Sequence, residues 1–69
     1  MTEIIFLVES DPDGGYTARA VGASVFTQAD DLATLRTMVK DAVHCHFPDE
    51  VSRPKLIRLH FTHDEVIAA

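Results

Sequence analysis

The sequence predicts an α+β domain of order β-β-β-α-β, a small antiparallel sheet covered on one face by a single helix. Three observations predict it. Four short segments are β-branched, aromatic or alternating; one segment of about 15 residues repeats its apolar side chains at helical spacing; and glycines and prolines punctuate the joints. A chain of 69 residues has room for one such core, so residues 1–69 are expected to form one domain.

Ile4-Ile5-Phe6-Leu7-Val8 is too short for a typical helix and rich in strand-forming residues, so it reads as the first strand. Its apolar side chains fall on both faces, Ile4, Phe6 and Val8 on one and Ile5 and Leu7 on the other. Glu9-Ser10-Asp11-Pro12-Asp13-Gly14-Gly15 is a turn longer than a two-residue hairpin. Tyr16 to Val21 then returns as an antiparallel second strand, with Tyr16, Ala18 and Ala20 on one side and Thr17, Arg19 and Val21 on the other. Gly22 breaks it, and Ser24 to Gln28 reads as a third strand of a meander.

The helix is expected to begin at Asp30-Asp31, either of which accepts backbone N–H bonds at a helix start. Thr34 stands where Glu or Gln would close a capping box on Asp31. Leu32, Leu35, Met38, Val39, Ala42, Val43 and His46 share a stripe, with Arg36, Lys40, Asp41 and His44 away from its centre. Pro48 stops the helix near His46 or Phe47. After the polar link Asp49 to Pro54, Lys55 to Phe61 alternates as a fourth strand, with Ile57, Leu59 and Phe61 towards the core and Leu56, Arg58 and His60 away from it. Residues 62–69 read either as a short helical turn or as an added strand.

Eleven acidic residues against 6 basic give a formal net charge of −5. That balance attracts basic proteins and repels phosphate, so direct nucleic-acid binding is disfavoured. No apolar run approaches the roughly 18 residues of a membrane span, and the Met1 to Ile4 start lacks a signal-peptide pattern. A lone Cys45 fits a reducing compartment, and cytoplasm is the expected location. One cysteine also makes no internal disulfide, so self-association is the expected reinforcement of so small a core. A single helix covers one face of the first strand only. Ile5 and Leu7, with Leu56, are therefore the expected self-association residues of a dimer or larger assembly.

Several side-chain groupings suggest chemistry and argue against it on geometry. His44 and His46 lie about 160° apart on a helix, with Cys45 about 100° from each, so the three do not close on one ion. Cys45 and His46 are expected to be structural, at the flank and on the line of the buried stripe. His60-x-x-His63 would need ligands from another chain to complete a zinc site. Glu9, Asp11 and Asp13 lack the spacing and the closing glutamate of a calcium loop. Gly14-Gly15 joins two strands and lacks the lysine of a phosphate loop. Tyr16 and Phe26 lack the basic groove that stacking on single strands requires. No catalytic residue, cofactor or metal is expected, and the chain does not read as an enzyme.

Gly14-Gly15-Tyr16-Thr17-Ala18-Arg19, followed by Ser24-Val25-Phe26-Thr27-Gln28-Ala29-Asp30-Asp31-Leu32, resembles the N-terminal domain of HicB-type antitoxins. Gln28 and Asp30 keep that pattern; Ala29 stands where glycine is usual, and Asp31 where threonine or serine is usual. Leu32, Leu35 and Ala42 occupy the expected core places, and the likeness runs from Ile4 to Phe47. The resemblance implies a self-associating β-β-β-α-β domain that blocks a small basic toxin cleaving messenger RNA. It is to a stand-alone small form, because the eight residues after Phe61 are too few for a DNA-binding module. For a basic partner the expected contact residues are Glu9, Asp11, Asp13, Asp30 and Asp31, together with Tyr16. The alternative is a homo-oligomeric accessory or structural domain with no toxin partner and no catalysis.

Overall fold

The computed structural model describes residues 2–62 and 67–68. Strands β1 (Glu3–Ser10), β2 (Tyr16–Ala20) and β3 (Phe26–Ala29) precede helix α1 (Leu32–His46) and strand β4 (Leu56–Phe61). This is the expected α+β order. The structural alternatives for the segment after Thr62, like the placement of His63, fall on residues outside those described, apart from Ile67 and Ala68.

The four strands form one sheet in the order β3-β2-β1-β4. The β1–β2 and β2–β3 pairs are antiparallel, with Phe6 opposite Ala20, Val8 opposite Ala18 and Tyr16 opposite Ala29. The sheet is mixed rather than wholly antiparallel, because β4 runs parallel to β1, with Ile4 opposite Ile57 and Phe6 opposite Leu59. The cause is the connection. Two hairpin reversals leave β3 running in the direction of β1, and a helix following a strand returns the chain to the end it started from. β4 therefore sets out in the same direction as β3 and β1. Its start is pinned by Thr2, whose carbonyl accepts from the N–H groups of both Lys55 and Leu56 at 3.0 Å.

Ile4, Phe6, Val8, Ala18 and Ala20 from the sheet and Val25 from the β2–β3 connection meet Leu35, Val39 and Val43 from the helix to make the core. Burying a side chain such as Phe6 or Leu35 contributes roughly 1.5–3 kcal/mol. The buried helix line follows steps of four, Leu35, Val39 and Val43, with half-buried Phe47 next. That line is narrower than the sequence stripe. Met38 and His46 sit one step of three away and are exposed, and Cys45 is exposed too. His46 packs edge-on against Phe47 at a centroid distance of 4.7 Å.

Asp31 is the N-cap. Its carboxylate accepts from the Thr34 N–H at 2.7 Å and from the Thr34 hydroxyl at 3.0 Å. Thr34 thus holds the cap in a different way from a glutamate at that position: its hydroxyl donates to the Asp31 carboxylate instead of accepting the Asp31 N–H. At the other end the Phe47 N–H donates to the Val43 carbonyl. Arg53 then donates to the carbonyls of Phe47 and Pro48, which ties the α1–β4 link to the helix terminus.

α1 lies over β2 and β3 and leaves β4 at its margin. Ile57 and Leu59 are consequently half-buried, and Phe61, expected in the core, is 50% exposed. Among the described residues no helix is long and apolar enough to cross a membrane.

Candidate functional site

The β1–β2 turn and the β3–α1 junction lie at the same end of the sheet because Tyr16 pairs with Ala29. The turn is built locally: Asp11 accepts from the Asp13 N–H through its carboxylate and from the Gly14 N–H through its carbonyl, while its own N–H donates to the Gly15 carbonyl. Gly15 has φ +89°, and a Cβ there would come within 3.0 Å of the Ala29 carbonyl oxygen. Glycine is what lets the turn close against the end of β3.

Between these two segments lies a concavity of about 430 Å³ whose lining includes Asp11, Tyr16, Gln28, Asp30, Thr34 and Met38. Among the described residues no lysine or arginine lines it. Of the residues expected to meet a basic partner, Asp11, Tyr16 and Asp30 are thus brought together. Asp13 is exposed on the same turn, and Asp31 stands next to Asp30 with its carboxylate committed to the helix cap. That hydrogen bonding to Thr34, backbone N–H first, holds the Asp31 carboxyl below the usual carboxylate range. Glu9 is separate. It points to the helix-free face of the sheet, where it borders a small hollow with Leu7, Thr17, Arg19 and Phe26.

That helix-free face carries the second expected surface. Ile5, Leu7 and Leu56 all lie on it, and Leu56 is 62% exposed. Two residues extend the patch beyond the sequence reading: Phe26, 61% exposed beyond Arg19, and Val21, 54% exposed, whose N–H donates to the Ile5 carbonyl. Strand alternation from Ala18 and Ala20 places Val21 there, a signal present in the sequence, whereas Phe26 is placed by its pairing with Arg19. Arg58 and Glu3 cross this face in a two-point ion pair, with nitrogen–oxygen distances of 2.9 and 3.1 Å. The Arg58 guanidinium holds the Glu3 carboxyl below its ordinary range, and Glu3 raises Arg58 in turn.

Among the described residues, no three His, Cys, Asp or Glu side chains come together as metal ligands. His44 borders a groove between α1 and β4, whereas His46 turns to Phe47.

The α+β domain thus carries an acidic concavity at one end and an apolar open sheet face. The chain is 64% identical over 53 residues to a UPF0150 protein of Archaeoglobus fulgidus, covering 77% of each chain. It is 41% identical over 66 residues to a UPF0150 protein of Thermotoga maritima, covering 96% of this chain and 91% of the relative. The chain belongs to the UPF0150 family, a name that specifies no reaction or partner. No family model matches the chain, and no solved structure matches it.

Proposed function

We propose that this chain is a HicB-like protein-binding module that captures a small basic protein by direct contact and, following the resemblance, restrains a toxin that cleaves messenger RNA. The observation that supports the reading is the concavity flanked by Asp11, Asp30 and Tyr16, acidic in a chain of net charge −5. Charge of one sign around a concave site speeds encounter with a cationic partner and disfavours anionic ones. The test is affinity capture from native extract at low salt, with stepwise salt elution and identification by mass. A small basic protein in stoichiometric amount is expected, and its RNA cleavage should be lost in the complex. Replacing Asp11 and Asp30 together by lysine should weaken capture at least about tenfold, because the field reverses where the partner docks. Recovery of the bait alone from an extract containing candidate toxins would overturn the reading.

A second reading, a homo-oligomeric accessory domain, draws on a different observation: the open-face patch of Ile5, Leu7, Val21, Phe26 and Leu56. Self-association through the sheet is compatible with capture at the acidic end, but the second reading has no toxin partner and no catalysis, and recovery of an assembled bait without a small basic protein would favour it.

A further inference from the structure

The basic residues of this acidic chain are unevenly placed. Four of the six lysines and arginines, Arg36, Lys40, Arg53 and Lys55, line one groove of about 410 Å³ between α1 and β4. Among the described residues no aspartate or glutamate lines it. Its floor is aliphatic: half-buried Ile57 and Leu59 lie beside Val39 and Val43, where the offset of the helix leaves β4 uncovered. Arg36, Lys40 and Lys55 are exposed and make no salt bridge among the described residues. Arg36 and Lys40 stand one helical turn apart on one bank, with Arg53 and Lys55 on the other.

We propose that this groove binds a short acidic-apolar peptide segment of a partner protein, aliphatic side chains seated on Ile57 and Leu59 and carboxylates reaching the two basic banks. This surface is separate from the acidic concavity and has the opposite sign, so the inference stands apart from the capture of a basic protein. An aliphatic floor excludes water from apolar side chains, and the banks supply charge-assisted bonds at its edge. A nucleic-acid strand fits less well. Among the described lining residues the imidazole of His44 is the one aromatic ring, against the several on which successive bases would stack, and the chain's overall charge opposes phosphate.

Fluorescence anisotropy with four labelled probes tests this on the intact chain. The first is a short capped peptide of glutamate, valine and leucine. The second replaces its glutamates by lysine, the third replaces its apolar residues by serine, and the fourth is an oligouridylate. The first probe is expected to bind at least about tenfold tighter than each of the others, with affinity falling as salt rises. The Arg36→Glu/Lys40→Glu variant changes only exposed positions; it should lose about tenfold for the first probe while its melting curve stays near that of the parent. Amide shift changes on titration should centre on Val39, Val43, Ile57 and Leu59. Equal or tighter binding of oligouridylate would overturn the peptide assignment in favour of nucleic acid. Equal binding of the serine peptide would overturn the role of the floor. No binding of the first probe, or a changed oligomeric state in the double variant, would overturn the proposal in favour of a bare or self-covered groove.

Discussion

Asp31 shows how one side chain can be legible in sequence for one role and committed in structure to another. Its place before an apolar helical run marks it as a cap, and it is one, with Thr34 answering through both backbone and hydroxyl. A carboxylate so engaged is less free to meet a partner, which leaves Asp30 and Asp11 to carry the acidic concavity. The same bonding gives a pH dependence. The folded-state carboxyls of Asp31 and Glu3 are both lowered, Asp31 by Thr34 and Glu3 by Arg58. Their contribution to stability is therefore present above the ordinary carboxylate range and is lost as pH falls through the lowered values. Urea titrations across the acid range should show a shallower acid decline in the Asp31→Asn/Glu3→Gln variant than in the parent. Asparagine keeps the cap without titrating, and an identical decline would show that these two groups do not drive it. Cys45 and His46 were less legible. Three-and-four periodicity gave them structural places, but the buried line steps strictly by four and reaches Phe47 instead.

At the scale of elements, local pattern was a good guide to what forms and a poor one to how it pairs. The alternation of Leu56 to Phe61 marks a strand, yet nothing within it encodes direction. Direction follows from the helical return of the chain after β3, and the parallel β1–β4 seam is the result. Partial coverage of β4 was hidden for a similar reason, since the sideways position of a helix over a sheet depends on packing across several strands. The convergence of Asp11 with Asp30 was equally non-local and waited on the pairing of Tyr16 with Ala29. The two apolar faces of β1 were legible in its alternation, Ile4, Phe6 and Val8 turning to the helix and Ile5 and Leu7 to the open face. Phe6 is fully buried at the middle of that strand. Phe6→Ala should cost about 3–5 kcal/mol, against a total stability of roughly 3–10 kcal/mol for a chain this short. Circular dichroism should find the variant largely unfolded at room temperature or melting far below the parent; a melt within a few degrees would contradict the core described above.

The whole molecule separates its surfaces by kind: an acidic concavity at one end, a basic groove between helix and β4, and an apolar sheet face on the side away from the helix. The overall charge gave the first, while the second was masked in the total because four cations spread through the sequence meet only in the fold. The third was foreseen at Ile5, Leu7 and Leu56 and enlarged by Phe26 and Val21. An exposed apolar patch of this kind is the surface on which the proposed self-association is tested. Light scattering on the eluting species should give a multiple of 7.6 kDa, and Phe26→Lys/Leu56→Glu should move it to the monomer with the helix signal intact. A parent that already runs as a monomer would remove self-association through this face.

The parallel seam between β1 and β4 also sets a timetable for synthesis. β1 leaves the ribosome roughly 50 residues ahead of β4, an interval of several seconds at about 5–20 residues per second. Until β4 arrives the outer edge of β1 is an unfilled slot, its backbone groups at Glu3 to Val8 awaiting Leu56 to Phe61. A neighbouring nascent chain on the same messenger offers an identical strand to that slot. A monomer and an intertwined pair would share the same β1–β4 register and differ only in which copy supplies Leu56 to Phe61.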